Sequence, residues 1–347
     1  MNSRYDAFKL GKLQDTLVDL DPLMSAASRL DLLVAAGMDR LPPPGGGATL
    51  ARWQALAAVA STDLSLAKLY EGHTDALAIR AELEASDETQ SNVGTWAVWA
   101  AEAPHGRTTI AEGGDGAARL QGAKCWCSGA ASVDNALLTA WDADGRGPQL
   151  VSVALQQAGV RVSATAWQAV GMSGCASLDV AFDGARAQRI GKPGDYLRRP
   201  GFWQGGAGVA ACWFGGALAL AEALRNSLSA APANANQPFR LAALGRVDVA
   251  LRSTAAILRE CAAWIDTHPA ADARLVALRA RLSAEQTATL VQDEVGRALG
   301  ATPFCRDARF ARMAADLPVF IRQSHADRDL AALGDQMLDA GATAWML

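Results

Sequence analysis

Trp126 and Ser128 stand two residues apart in the run Gly122-Ala123-Lys124-Cys125-Trp126-Cys127-Ser128-Gly129-Ala130. On a β-strand, residues two apart share a face, so this spacing presents an indole and a hydroxyl together. The same alternation puts the sulfurs of Cys125 and Cys127 on one face, where a redox or metal role competes with service as small apolar residues. His325 and Asp329 are four apart; on a helix they would share a face, as an acid/base pair or as a solvated salt bridge. His73, His105 and His268 have no partner spacing that makes a metal site or a triad, and His73 in Tyr70-Glu71-Gly72-His73 reads as structural or cavity-lining. The six cysteines (125, 127, 175, 212, 261 and 305) include no CxxC pair, so no metal is expected. The run Pro42-Pro43-Pro44-Gly45-Gly46-Gly47 lacks the Lys-Ser/Thr ending of a phosphate-binding loop and reads as a plain connection.

Composition narrows the class of function. A chain of 347 residues can bury about 75% of its unfolded surface, and half of its residues are hydrophobic against 20% charged. A net charge of -4 disfavours nucleic acid and anionic membrane as partners, since both reward a basic face. No apolar run reads as long enough to cross a bilayer, Arg and Asp interrupting each candidate. The opening MNSRYDAFKLGK has no apolar signal segment, and together with the cysteine pattern this predicts a reduced, cytoplasmic protein.

Three textures follow one another. Segments 25–38 and 50–60 are periodic and helical, with Thr49 a candidate N-cap for the second and residues 61–63 for the next. From about residue 96 to 190 the period becomes two. Residues 108–112 and 117–121 flank the Gly/Asp turn 113–116 as a hairpin, and further strands are predicted at 136–141, 149–155, 160–165 and 177–182, with a turn at 142–145. After Gly191 helices return: 202–226, rich in small residues that let helices approach closely, a linker at 229–238, then 240–267, 271–300 and a last helix ending near Gly334. The domains expected are 1–90, 91–192 and 193–347. Short strands at this spacing predict a small antiparallel barrel or sandwich between two helical regions, an α+β fold.

The strand around Trp126 resembles the middle domain of acyl-CoA dehydrogenases, and the resemblance extends through Gly171-Met172-Ser173-Gly174-Cys175-Ala176-Ser177, Ile190-Gly191-Lys192-Pro193-Gly194, Gly300 and Arg306-Asp307-Ala308-Arg309. It implies a flavoprotein oxidoreductase with an N-terminal helical domain, a central β domain and a C-terminal four-helix bundle that forms a homodimer or homotetramer. It also implies FAD as cofactor, with Trp126 packing on the flavin, Ser128 at its N5 edge, Ala101 and Glu102 on its pyrimidine side, and Gly300 in the family's glycine-rich turn. A hydroxyl at that edge would stabilise electron density arriving as hydride. The implied substrate is an acyl thioester, oxidised at a CH–CH bond, with an electron-transfer flavoprotein or a flavin reductase as redox partner.

Departures from the family pattern bear on mechanism. The family's carboxylate base lies nine residues after the Arg of Arg-Asp-Ala, which here is Ala315; the alternative position on the bundle's first helix is Val209. Asp316 is the adjacent candidate, since burial raises an aspartate toward neutral pKa. His325 is the second candidate for proton transfer. Glu102-Ala103-Pro104-His105-Gly106-Arg107-Thr108 lacks a serine of the family's thioester site, and Phe239-Arg240 is a distant counterpart of its pyrophosphate motif. Three readings follow: an acyl-CoA dehydrogenase-like enzyme, a reduced-flavin monooxygenase of the same superfamily, and a flavin-free relative.

Overall fold

A change of side-chain period from helix to strand and back organises the chain, and the computed structural model describes residues 10–83, 93–102, 106–113, 118–142, 145, 147–163, 167–230, 236–338 and 345. Four helices come first: α1 (Leu10–Asp19), α2 (Ala26–Ala35), α3 (Thr49–Thr62) and α4 (Leu64–Leu83). The strands are β1 (Trp96–Trp99), β2 (Thr108–Glu112), β3 (Ala118–Ser128), β4 (Asn135–Trp141), β5 (Pro148–Ala154), β6 (Val160–Val162) and β7 (Ser177–Ile190). Then follow α5 (Asp195–Arg198), α6 (Gly201–Ala230), α7 (Gln237–Thr267), α8 (Arg274–Leu299), α9 (Ala301–Arg306), α10 (Ala308–Phe320) and α11 (Asp327–Leu338). These elements fall into two units: one of residues 1–41, 65–169 and 173–202, the other of residues 42–64, 170–172 and 203–347.

The first unit holds the sheet. Its strand order β1-β4-β2-β3-β7-β5 is closed by a β4–β5 pairing, so β4, β2, β3, β7 and β5 make a ring, with β1 added to β4 and β6 to β7. The expected hairpin forms, with Ile110 opposite Leu120; residues 114–116 of its turn, residue 117 of its second strand and residues 143–144 of the next turn lie outside the described residues. The barrel is not wholly antiparallel, because β1 and β2 both run parallel to β4. Alternation sorts the side chains. Trp99, Leu120, Leu138, Val151, Val180 and Phe182 form the core inside the ring, while Leu137, Leu150 and Ile190, one residue out of phase, pack with Ala76 and Ile79 of α4 and Tyr196 of α5. Burial on both faces explains why β4 reads as a nearly continuous apolar run.

The second unit is built on α6. A methyl group on Gly215 would sit 2.3 Å from the Ala57 carbonyl oxygen of α3, so the expected small-residue helix does allow close approach. Thr49 is not the N-cap of α3; Ala48 holds that position. The Thr49 hydroxyl instead accepts Gly45 N–H (2.9 Å) and donates to Asp266 Oδ1 of α7 (2.6 Å), tying down the Pro/Gly loop. Where one last helix was expected to end near Gly334, three helices follow α8. Asp307 breaks it first, accepting Phe310 N–H at 3.0 Å as the cap of α10. Pro318 lies inside α10 and cannot donate to Ala314 O four residues back; Gln292 Nε2 of α8 supplies that bond at 3.3 Å.

One sequence expectation needs correction. Among the described residues α6 is 30 residues long and apolar enough, by length and composition, to cross a membrane, because Gly201 to Ala221 carries no charge. Its most apolar window is 72% buried within the protein, as in the core helix of a bundle.

Candidate functional site

The β3 strand carries an irregularity where the chemistry was expected. Lys124 pairs with Val180 and Cys127 with Leu178, so Cys125 and Trp126 together face the single Asp179. At this bulge Trp126 takes a left-handed φ of 61° and is 58% exposed. A bulky side chain in that region costs about 1–2 kcal/mol. Backbone strain of this kind collects where a fold aims a side chain for use. Without the bulge, alternation would have put Trp126 on the face of Lys124, which is 3% exposed. Ser128 is half-buried, its hydroxyl sharing a 2.7 Å hydrogen bond with Ser177 Oγ across the strand pair, and Trp99 Nε1 donates to its carbonyl at 3.0 Å.

The bulge also separates the two cysteines, correcting their expected common face. Cys127 is fully buried in the barrel core, where desolvation pushes its thiol far up, while Cys125 is half-buried outside that core. No cluster of metal-ligating side chains occurs among the described residues.

Ala101 and Glu102 follow β1 and are both exposed. The Glu102 carboxylate accepts from Thr139 Oγ1 (2.6 Å), Lys124 Nζ (2.9 Å) and Trp141 Nε1 (3.3 Å). Burial alone would raise this carboxyl, but the bonds from Thr139 and Lys124 outweigh it and hold it below the usual range. Lys124 also donates to Thr139 O (3.1 Å) and Oγ1 (2.8 Å), so a buried ammonium is satisfied within the barrel. Residues 103–105, including His105, lie outside the described residues. His73 is structural: buried at 1% exposure, it accepts Trp96 N–H at Nδ1 (3.1 Å) and meets Asp39 Oδ2 at Nε2 (3.2 Å).

In the second unit Asp316 is 3% exposed, and its Oδ1 accepts Met172 N–H at 2.5 Å. Desolvation raises this carboxyl, the Met172 bond offsets part of the rise, and the charge of Asp63 adds to it. Met172 is itself left-handed at φ 57°, and a methyl on Gly171 would lie 2.1 Å from Ala315 O. Val209 is buried. His325 precedes α11 rather than riding on it; its N–H is held by Asp329 Oδ2 (3.2 Å) and its Nδ1 lies 3.5 Å from Asp329 Oδ1, with 61% of the side chain exposed. Gly300 joins α8 to α9 at φ 68°.

Next to Gly300, a cleft of about 840 Å³ is lined by α6, α9 and α10 and by the start of α7. Arg240, Arg306 and Arg309 line it. Arg240 donates to Ser227 Oγ at 2.6 Å, but its Nε is a buried donor without an acceptor. The two carboxylates in the wall are committed elsewhere, Glu222 to Arg225 and Asp307 to the α10 cap. Three arginines in a wall whose carboxylates are paired elsewhere are the chemistry of an anion site. Phe239-Arg240 hinted at it in the sequence; the bulge at Trp126 left no such hint.

A ring of barrel strands between helices, with a helical bundle after it, is the acyl-CoA dehydrogenase-like fold. Dibenzothiophene monooxygenase (TdsC) from Paenibacillus sp. A11-2, solved also with FMN, superposes with a TM-score of 0.78 at 19% identity over 95% of both chains. Butyryl-CoA dehydrogenase from Megasphaera elsdenii gives 0.80 at 13% identity, covering 97% of this chain and 100% of its own. Methanesulfinate monooxygenase MsuC from Pseudomonas fluorescens gives 0.76 at 18% identity over 98% of each chain. No family model and no curated protein matches the sequence.

Proposed function

We propose that this protein is a flavin-dependent oxidoreductase that works with reduced flavin and molecular oxygen on a small organic substrate. The observation that carries the reading is the state of the bundle's carboxylate. Ala315 stands where a dehydrogenase base is needed, and the neighbouring Asp316 is buried with an oxygen engaged by Met172 N–H. That engagement suits an anchor for the strained Gly171-Met172 turn better than a base that must reach a substrate carbon. Oxygenation by reduced flavin needs no such base, and the names of TdsC and MsuC support the same class.

Trp126 offers an exposed indole, whose surface would exclude water from one side of the ring, and the Ser128–Ser177 pair offers a hydroxyl donor. Arg240, Arg306 and Arg309 in the wall of the 840 Å³ cleft suit the phosphate of FMN or the diphosphate of FAD. When bound, a reduced flavin supplies two electrons, so that one atom of dioxygen enters the substrate and the other leaves as water. In this reading Glu102 holds Lys124 in place, and the His325–Asp329 contact fixes the start of α11. A flavin reductase as electron source, a homodimer or homotetramer, and a cytoplasmic location complete the reading.

The rival is oxidation of an acyl thioester with FAD as hydride acceptor, and the raised Asp316 carboxyl is what favours it. The two separate cleanly. Purified protein supplied with reduced flavin should consume oxygen in a substrate-dependent way, and Asp316→Asn should keep that activity if folded. Anaerobic bleaching of bound FAD by acyl-CoA, lost in Asp316→Asn, would decide for the dehydrogenase instead.

A further inference from the structure

Ser128 and Ser177 close the ladder between β3 and β7, directly opposite each other. Cys127 and Leu178, the pair before them, lie in the barrel core, so alternation turns both serines to the outside of the barrel. The two Oγ atoms are 2.7 Å apart, and either can be the donor. The backbone beneath them is fixed, because Trp99, 2% exposed, donates from Nε1 to Ser128 O at 3.0 Å. Both serines are half-buried, and among the described residues neither hydroxyl has another partner.

Each hydroxyl carries one hydrogen and two lone pairs. One hydrogen is used inside the pair, so one is left to point outward. When Ser177 donates, the outward hydrogen is that of Ser128, and the bond Ser128 receives makes it a stronger donor. When the internal bond reverses, Ser128 gives its hydrogen to Ser177 and turns lone pairs outward. A single serine covered by a ligand lacks this second state, because its hydrogen would be buried without an acceptor.

A flavin calls on both states. Its N5 is a bare acceptor when oxidised and carries a hydrogen when reduced. We propose that Ser177 is a positioning residue that lets Ser128 follow this change, donating to oxidised flavin and, with the internal bond reversed, accepting from reduced flavin. The proposal rests on the flavin reading given above. Without the Ser177 hydroxyl, Ser128 can still donate, but it accepts from reduced flavin only with its own hydrogen unsatisfied.

The test titrates full-length wild type, Ser177→Ala, Ser177→Thr, Ser128→Ala and the double alanine variant anaerobically with oxidised and with reduced FMN or FAD, and reads the ratio of the two dissociation constants. Ser177→Ala should weaken reduced flavin about fivefold more than oxidised flavin, the worth of one hydrogen bond. Ser177→Thr, which keeps the hydroxyl on a residue that strands favour, should hold the wild-type ratio. In the Ser128→Ala background, Ser177→Ala should change the ratio no further. The same ratio change in Ser177→Thr as in Ser177→Ala, or independent effects of the two serines, overturns the proposal. Wild type that takes up flavin in neither state removes the flavin reading and this inference with it, whereas uptake with an unchanged ratio in Ser177→Ala removes the inference alone.

Discussion

Replacing Trp126 by Asn should separate folding from flavin binding. Relief of the left-handed φ of 61° returns about 1 kcal/mol, because Asn tolerates that conformation. Against this stands the part of the indole that is buried. A tryptophan offers up to about 250 Å², and at 58% exposure somewhat under half of it is covered, about 100 Å². At about 25 cal/mol per Å² that is at most about 2.5 kcal/mol, and less against a realistic unfolded chain. The first term offsets part of the second, so the flavin-free variant should lose no more than about 1.5 kcal/mol in urea unfolding. A tryptophan inside the barrel behaves differently: Trp99→Ala, at 2% exposure, should cost about 3–5 kcal/mol. Flavin binding by Trp126→Asn should weaken about 5–30-fold, the loss of one aromatic contact with its covered area. The assay is a flavin fluorescence titration beside a urea melt on the same preparation. Wild-type affinity in Trp126→Asn, or destabilisation equal to that of Trp99→Ala, would refute the reasoning.

Three further outcomes follow from the same structure. Glu102→Gln keeps an oxygen that can accept from Lys124, 3% exposed, but removes the opposite charge beside its ammonium, and should cost about 1–3 kcal/mol in a thermal melt; because the folded Glu102 carboxyl sits below its usual range, wild type should lose its advantage over this variant as pH falls into the carboxyl range. Asp316 has the opposite sign: its folded carboxyl is raised, so the stability of wild type relative to Asp316→Asn should decline as pH rises above the ordinary value of 3.8, and parallel pH profiles would contradict the assignment. Gln292→Leu orphans Ala314 O at the proline of α10 and should cost about 1–2 kcal/mol, and Pro318→Ala, which restores the missing N–H, should recover most of it in a double-mutant cycle.

Much of the architecture was legible because it rests on period. The Ile110–Leu120 hairpin and the long helices α7 and α8 follow from alternation and helical spacing, which a single sequence displays. What stayed hidden depends on tertiary partners. β1 and β2 pair in parallel with β4, whose two-sided burial erases its alternation. The breaks after Arg306 and near His325 were masked because α10 and α11 are each amphipathic and no glycine stands at either break. At the candidate site, Trp126 and Ser128 could be picked out by type and spacing. The bulge that frees the indole and the orphan nitrogen of Arg240 are properties of the packed chain, not of any local motif.

The central claim is that the chain binds flavin and uses its electrons. An anaerobic titration with reduced FMN and reduced FAD, read by calorimetry and followed by admission of oxygen, addresses it directly. Saturation at one flavin per chain, weakened by Trp126→Asn, is the expected result. A folded protein that takes up neither flavin in either redox state would contradict it, leaving the fold without its chemistry.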